Sequence, residues 1–275
     1  MIEPSWCFGS EVPRAKRRLG QHFLADPRIL TRIVDALAPG PQDTVLEIGP
    51  GRGGLTAALQ QRAGRLVTIE KDRELVPLLH ERFPRITVVE ADALEVDWHA
   101  AAGPAFLLTG NIPYNITSPL IDKALTPPAP SRIVFLVQKE VADRVTAVPN
   151  TPAYGALSIG VQAVARAERL FTVSPGAFRP PPKVESAVLR LTPLDTPLVT
   201  DSERVPFRRL VVGLFSFRRK QLLRGLRELT GWEAQQVGDL LHRLGLDETA
   251  RPETLAPDRF AGLLRGLVDG GWTAR

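Results

Sequence analysis

Five short apolar runs, interleaved with helical patterns, constrain this chain more than any other feature of its sequence. The runs are Thr44–Ile48, Arg65–Ile69, Ile86–Val89, Ala105–Thr109 and Arg132–Val137. They are short enough for strands, and the run from Ala105 reads as a buried one. Helical spacing of apolar residues falls around Leu55–Arg62, Leu75–Arg82, Ser118–Leu125 and Lys139–Thr146. An earlier helix is expected where Asp26-Pro27 provides an N-cap and a proline at the first helical position, followed by Ile29, Ile33, Val34 and Leu37. Alternation of this kind predicts an α/β fold with a doubly wound, mostly parallel sheet. Further on, Tyr154–Val164 reads as a helix of small residues. Ala167–Val173 and Ser186–Leu191 read as two last strands joined by the proline-rich loop Phe178–Lys183. Thr192–Pro206 is the best linker candidate, and from Phe207 onward only helical periodicity remains, as in Val237, Leu240, Leu241 and Leu244. Residues 1–195 are therefore expected to form the sheet domain and 196–275 a small all-α domain.

At 275 residues the chain can bury a substantial core. No apolar stretch approaches the roughly 18 residues that span a bilayer, and the N-terminus lacks the apolar core of a signal peptide. Cys7 is the only cysteine, which excludes an internal disulfide. His22, His80, His99 and His242 are scattered, so no metal site is expected. A soluble cytoplasmic protein is the expectation. The formal charge of +5 suits a polyanionic partner, and its distribution says more than its sum. Arg14, Lys16, Arg17 and Arg18 cluster near the start. Arg204, Arg208, Arg209, Arg218, Arg219, Lys220, Arg224 and Arg227 follow one another with no acid between. Each block has two readings, a solvated face or a nucleic-acid contact, and the presence of two favours the second.

Glu47-Ile48-Gly49-Pro50-Gly51-Arg52-Gly53-Gly54 lies between the first run and its helix, where α/β sheets bind cofactors. Glycines there let the backbone turn sharply and pass close to a ligand. Pro50 removes a donor that a pyrophosphate would want, and Glu47 would repel phosphate but accept from an ammonium. Glu70 and Asp92 stand at the ends of the next two runs. The first carboxylate suits ribose hydroxyls and the second an adenine amine, although each alone could be a surface acid closing a strand. Three such acids beside a glycine turn fit a nucleoside carrying an amine and no phosphate, of which S-adenosylmethionine is the common case. At the end of the fourth run stands Asn111-Ile112-Pro113-Tyr114. An Asn-Pro-type turn is one reading. The other is a site for an exocyclic amine, whose two hydrogens the Asn111 oxygen and a carbonyl near Pro113 accept while Tyr114 stacks on the base.

These motifs resemble those of the ribosomal RNA adenine N6-dimethyltransferases. The markers run through nearly the whole chain: Leu19–Leu24, Glu47–Gly53, Glu70, Asp92, Asn111–Tyr114, Gln138–Glu140, Tyr154-Gly155 and Phe178–Val184. The resemblance implies a Rossmann-like class I methyltransferase fold with a helical C-terminal domain. It further implies S-adenosylmethionine as methyl donor, small-subunit ribosomal RNA in the assembling subunit as partner, and a monomer. By the same resemblance His22, Leu24, Gly49, Gly51, Glu70, Asp92 and Asn111 contact the donor, with Glu47 beside them. Asn111, Ile112, Pro113 and Tyr114 hold the target adenine, and Phe178 closes over it opposite Tyr114. Relatives usually carry Asn where this chain has His22. Phe178 also reads as a core aromatic before a proline loop. The related macrolide-resistance enzymes of the large subunit share the Asn-Ile-Pro-Tyr motif, and Gly20, Tyr154-Gly155 and Lys183–Val188 favour the small-subunit type. DNA adenine methyltransferases usually carry a target-recognition insert, which the chain lacks. A non-catalytic assembly factor on the same fold is the alternative of a different class.

Overall fold

A computed structural model describes residues 13–16 and 19–273 of the chain. Arg17, Arg18 and Cys7 lie outside the described residues. The central sheet holds seven strands: β2 (Thr44–Ile48), β3 (Arg65–Glu70), β4 (Thr87–Glu90), β5 (Leu107–Asn111), β6 (Arg132–Gln138), β7 (Ala165–Val173) and β9 (Ser186–Pro193). Their spatial order is β4-β3-β2-β5-β6-β9-β7. The first five run parallel, while β9 lies antiparallel to both β6 and β7. Chain order therefore reverses between β2 and β5, which is where an open α/β sheet leaves a crevice beyond its carboxyl strand ends.

Period-two alternation sends neighbouring residues of one strand to opposite faces. Leu46, Ile48, Phe135 and Val137 join a core cluster on one face, and Val45, Val134 and Leu136 a second cluster on the other. The second face is covered by α1 (Pro27–Leu37) and α2 (Gly54–Leu59). As expected, the Asp26 carboxylate caps α1 by accepting from Arg28 N at 2.9 Å, and Ile33, Val34 and Leu37 are buried. α3 (Val76–Arg82) leads into β4. The first face carries α4 (Trp98–Ala102), α5 (Thr117–Ala124), α6 (Lys139–Val145) and α7 (Ala156–Gln162). α4 has no sequence signal of its own, because five residues are too few to show a period. Its start is fixed by Asp97, whose carboxylate accepts from His99 N and Ala100 N.

α8 (Arg204–Ser216), α9 (Leu222–Thr230), α10 (Ala234–Arg243) and α11 (Pro257–Asp269) form the helical C-terminal part. Phe207, Leu214, Phe260 and Leu264 belong to the same continuous cluster as α6 and α7. The Tyr154 hydroxyl donates to Leu255 O at 2.7 Å, and its ring meets Phe215 edge-on. The expected linker is shorter than the composition suggested. β9 takes Thr192 and Pro193 by pairing with β7, α8 takes the other end, and the span between is packed through Leu198 N to Ala163 O and the buried Val199. Much of the basic block is stapled rather than free. Arg204 donates to Leu125 O and Arg208 pairs with Asp122 on α5, while Arg218 pairs with Glu253 and Lys220 with Glu228. Arg219, Arg224 and Arg227 are exposed. Near the start, Lys16 is engaged by Asp72 and Glu74.

Candidate active site

One crevice at the β2/β5 switch point gathers His22, Gly49, Gly51, Glu70, Asp92, Asn111, Ile112, Pro113 and Tyr114. The glycine turn shapes its floor. Gly51 has a φ of 58°, and a Cβ there would lie 2.8 Å from the Phe23 ring. Gly53, at φ 82°, would put a Cβ 2.2 Å from the Phe83 ring. Only glycine satisfies both the left-handed backbone and the close approach.

Three glycine amides of this turn are already engaged. Gly49 N donates to Ile69 O, Gly51 N to Glu70 Oε2 and Gly53 N to Pro50 O, and Pro50 has no N–H. A phosphate would find the Gly49, Gly51 and Gly53 amides already spent and would face the carboxylates of Glu70 and Asp92. Burial pushes the Glu70 carboxyl up, opposed by hydrogen bonds from Asp72 N and Gly51 N. Asp92 accepts from Lys71 Nζ at 2.6 Å and from Leu94 N, and these bonds hold it below the usual carboxylate range. A cationic, phosphate-free nucleoside such as S-adenosylmethionine fits this donor-poor, carboxylate-rich lining.

Asn111 closes β5, where it pairs with Leu136 of β6. Its Nδ2 donates to the His22 carbonyl at 2.7 Å. A carbonyl only accepts, so the amide nitrogen must face it and the Oδ1 is turned away as an acceptor. The Pro113 carbonyl already accepts from Ile116 N and Thr117 Oγ1, whereas the Ile112 carbonyl accepts no hydrogen bond among the described residues. Ile112 is itself anchored through its N–H to Leu136 O at 3.0 Å. The His22 and Tyr114 rings stack at 5.9 Å and 25°, and His22 Nδ1 lies 2.9 Å from Pro180 O. The Tyr114 hydroxyl lies 2.8 Å from Ser186 Oγ.

Three expected site residues lie outside the crevice lining. Glu47 is buried beneath the glycine turn, where its carboxylate accepts from Thr56 Oγ1 at 2.7 Å; burial pushes it up to about 8. An acid so placed supports the turn from below and does not reach a ligand's ammonium. Leu24 and Phe178 pair with each other across the two-stranded ladder of β1 (Phe23–Leu24) and β8 (Phe178–Arg179). Phe178 is fully buried in the second core cluster with Val34, Leu136 and Val188, so here its ring fills the core and does not face Tyr114. A ladder of two residues per strand carries no periodic signal, which is why the sequence left Phe178 in a loop. Conversely, Gln21, Phe23 and Lys71 line the crevice without having been singled out. Gln21 donates to Asp72 Oδ2 at 2.9 Å and accepts from Lys16 N, tying the N-terminal segment over the end of β3. Their signal lay in the Leu19–Leu24 motif and in the residues after Glu70.

A carboxylate-lined nucleoside crevice at the switch point of a parallel sheet, closed by an antiparallel last pair, is the arrangement of the Rossmann-like class I methyltransferases. The fold here is theirs. Residues 12–263 match the family model described as ribosomal RNA adenine dimethylase, and the chain belongs to that family. It is 41% identical over 264 residues to the ribosomal RNA small subunit methyltransferase A of Geobacter metallireducens, covering 93% of this chain and 96% of that one. The protein of the same name from Bordetella pertussis is 41% identical over 261 residues, covering 94% and 96%. Among solved structures, a dimethyladenosine transferase from Plasmodium falciparum superposes with a TM-score of 0.82 at 28% identity, over 92% of this chain and all of that one. The 23S rRNA methyltransferase ErmE does so with a TM-score of 0.70 at 28% identity, over 90% and 99%. Among the described residues no helix is long and apolar enough to cross a membrane.

Proposed function

We propose that this protein transfers methyl groups from S-adenosylmethionine to the N6 amines of two adjacent adenosines in the 3′-terminal hairpin loop of small-subunit ribosomal RNA. Two methyls per adenosine, a cytoplasmic setting, a late role in subunit assembly and a monomeric state complete the reading. The observation that carries it is the orientation of Asn111, whose Oδ1 is left as an acceptor at the end of β5 because its Nδ2 is spent on the His22 carbonyl.

When bound, S-adenosylmethionine supplies a sulfonium-activated methyl group, so the protein needs no metal and no strong base. Glu70 and Asp92 would hold it by accepting from its ribose and adenine, and Gly49 and Gly51 would give it room beside the backbone. Asp92 keeps acceptor capacity for this beside its bonds from Lys71 and Leu94 N. Asn111 Oδ1 and the Ile112 carbonyl accept the two N6 hydrogens of the target, which draws the amine toward tetrahedral geometry and frees its lone pair. Pro113 fixes the turn that aims them, and Tyr114 offers a ring to a base taken out of its stack. Each such aromatic contact returns about 1–3 kcal/mol of the flipping cost. Catalysis is then mainly alignment. An amine is required because a carbonyl base would leave both acceptors unpaired.

For the RNA, we propose residues 196–275 as the gripping part and 1–195 as the catalytic part. Exposed Arg219, Arg224 and Arg227 support this, together with Arg218, which lines the groove containing Gln138, Lys139 and Tyr154. The ErmE likeness keeps large-subunit RNA as the second reading. Supplying purified precursor particles of each subunit with radiolabelled donor decides between them. Label entering only the small particle, recovered as dimethyladenosine, is the expected result. Label in the large particle, or in neither, overturns the proposal.

A further inference from the structure

Tyr114 is held by a residue two strands away in the sheet. Ser186 is the first residue of β9, on the antiparallel pair that plays no part in lining the donor crevice. It is fully buried, paired in register with Gln138 on one side and Val173 on the other. The preceding residue is pinned as well, since Glu185 O accepts from Lys139 N at 3.0 Å. Alanine and valine follow it along the strand, so packing alone does not call for a hydroxyl here. A buried hydroxyl needs a partner, and among the described residues the one Ser186 has is the phenol of Tyr114 at 2.8 Å.

The phenol ring is thereby restrained at three places. Its backbone sits in the short turn Tyr114–Ile116 after Pro113, its face meets the His22 ring, and its hydroxyl reaches the sheet. Without the last restraint the ring is free to turn about its side-chain bonds. An unstacked purine would then meet a moving plane instead of a fixed one, and the N6 amine would lose alignment with its acceptors. We propose that Ser186 is a positioning residue for methyl transfer: it fixes the plane of Tyr114, and through it the plane of the target base. This rests on the adenine N6 reading above. The second transfer onto one nitrogen is the more demanding, because the amine must rotate to present its remaining hydrogen. Loosening Tyr114 should therefore raise the share of monomethylated product.

The test is a cycle of Ser186→Ala, Tyr114→Phe and the double variant, with Ser186→Cys as a second substitution at the same site. Loss of one neutral hydrogen bond corresponds to a fall of about fivefold. Each single variant should lose about that much in kcat, shift product toward monomethyladenosine and keep donor affinity close to wild type; Ser186→Ala should keep its thermal midpoint, whereas Tyr114→Phe, which strands the buried Ser186 hydroxyl, should lower it. The double variant should match either single one, and Ser186→Cys should fall between wild type and Ser186→Ala. Losses that multiply in the double variant, or an unchanged product ratio in Ser186→Ala, overturn the assignment while leaving the adenine reading intact. A wild-type protein that methylates no adenosine removes both.

Discussion

Replacing Glu47 by Gln should make the protein more stable at neutral and alkaline pH. Glu47 is 1% exposed, and its carboxyl titrates at about 8 instead of 4.5 because burial disfavours the charge. The folded state thus holds a proton that the unfolded chain gives up above pH 4.5. Stability from this group is fully present below that value and is lost as pH rises through the folded value near 8. At about 1.36 kcal/mol per pH unit, wild type should lose roughly 3–4 kcal/mol between pH 5 and pH 8 through Glu47 alone. The amide of Gln keeps an acceptor for Thr56 Oγ1 and cannot ionise. Urea unfolding of both proteins at half-unit steps from pH 5 to pH 8.5 measures the difference. The two curves should start close together and diverge, with Gln the more stable above pH 6. Parallel curves would refute the reasoning, because they would mean that Glu47 is solvated or ionised in the native state.

Asn111→Ala should lower kcat by about 10²–10³, the usual cost of losing one preorganised transition-state hydrogen bond, with donor affinity in calorimetry changed only a few fold. Gly51→Ala places a side chain at φ 58° and 2.8 Å from the Phe23 ring, so donor binding should weaken by on the order of tenfold with the fold retained by circular dichroism. Neutralising Arg218, Arg219 and Lys220 together should flatten the salt dependence of RNA binding. Two of the three already pair with Glu253 and Glu228, so the slope of log K against log salt should fall by about one to two, not three. An unchanged slope would remove this segment from the RNA footprint.

The order of strands and helices was legible because each buried parallel strand writes a short apolar run and each covering helix a 3.6-residue period. So were the residues at the strand ends. Glycines, acids and the Asn111–Tyr114 turn stand directly after such runs, and a parallel sheet brings its carboxyl ends to one edge whatever the details of packing. Side-chain direction was not legible. Whether Glu47 looks up into the crevice or down onto Thr56 depends on the pleat of β2, and a shift of one residue reverses it. Phe178 was decided by a two-residue ladder with β1, too short to leave a pattern. The contacts that orient the site link residues far apart in the chain: His22 to Asn111, Gln21 to Asp72, Ser186 to Tyr114. Local sequence sets which backbone conformations are cheap. Pairings across such separations are set only when the whole sheet closes and each buried polar group must find a partner.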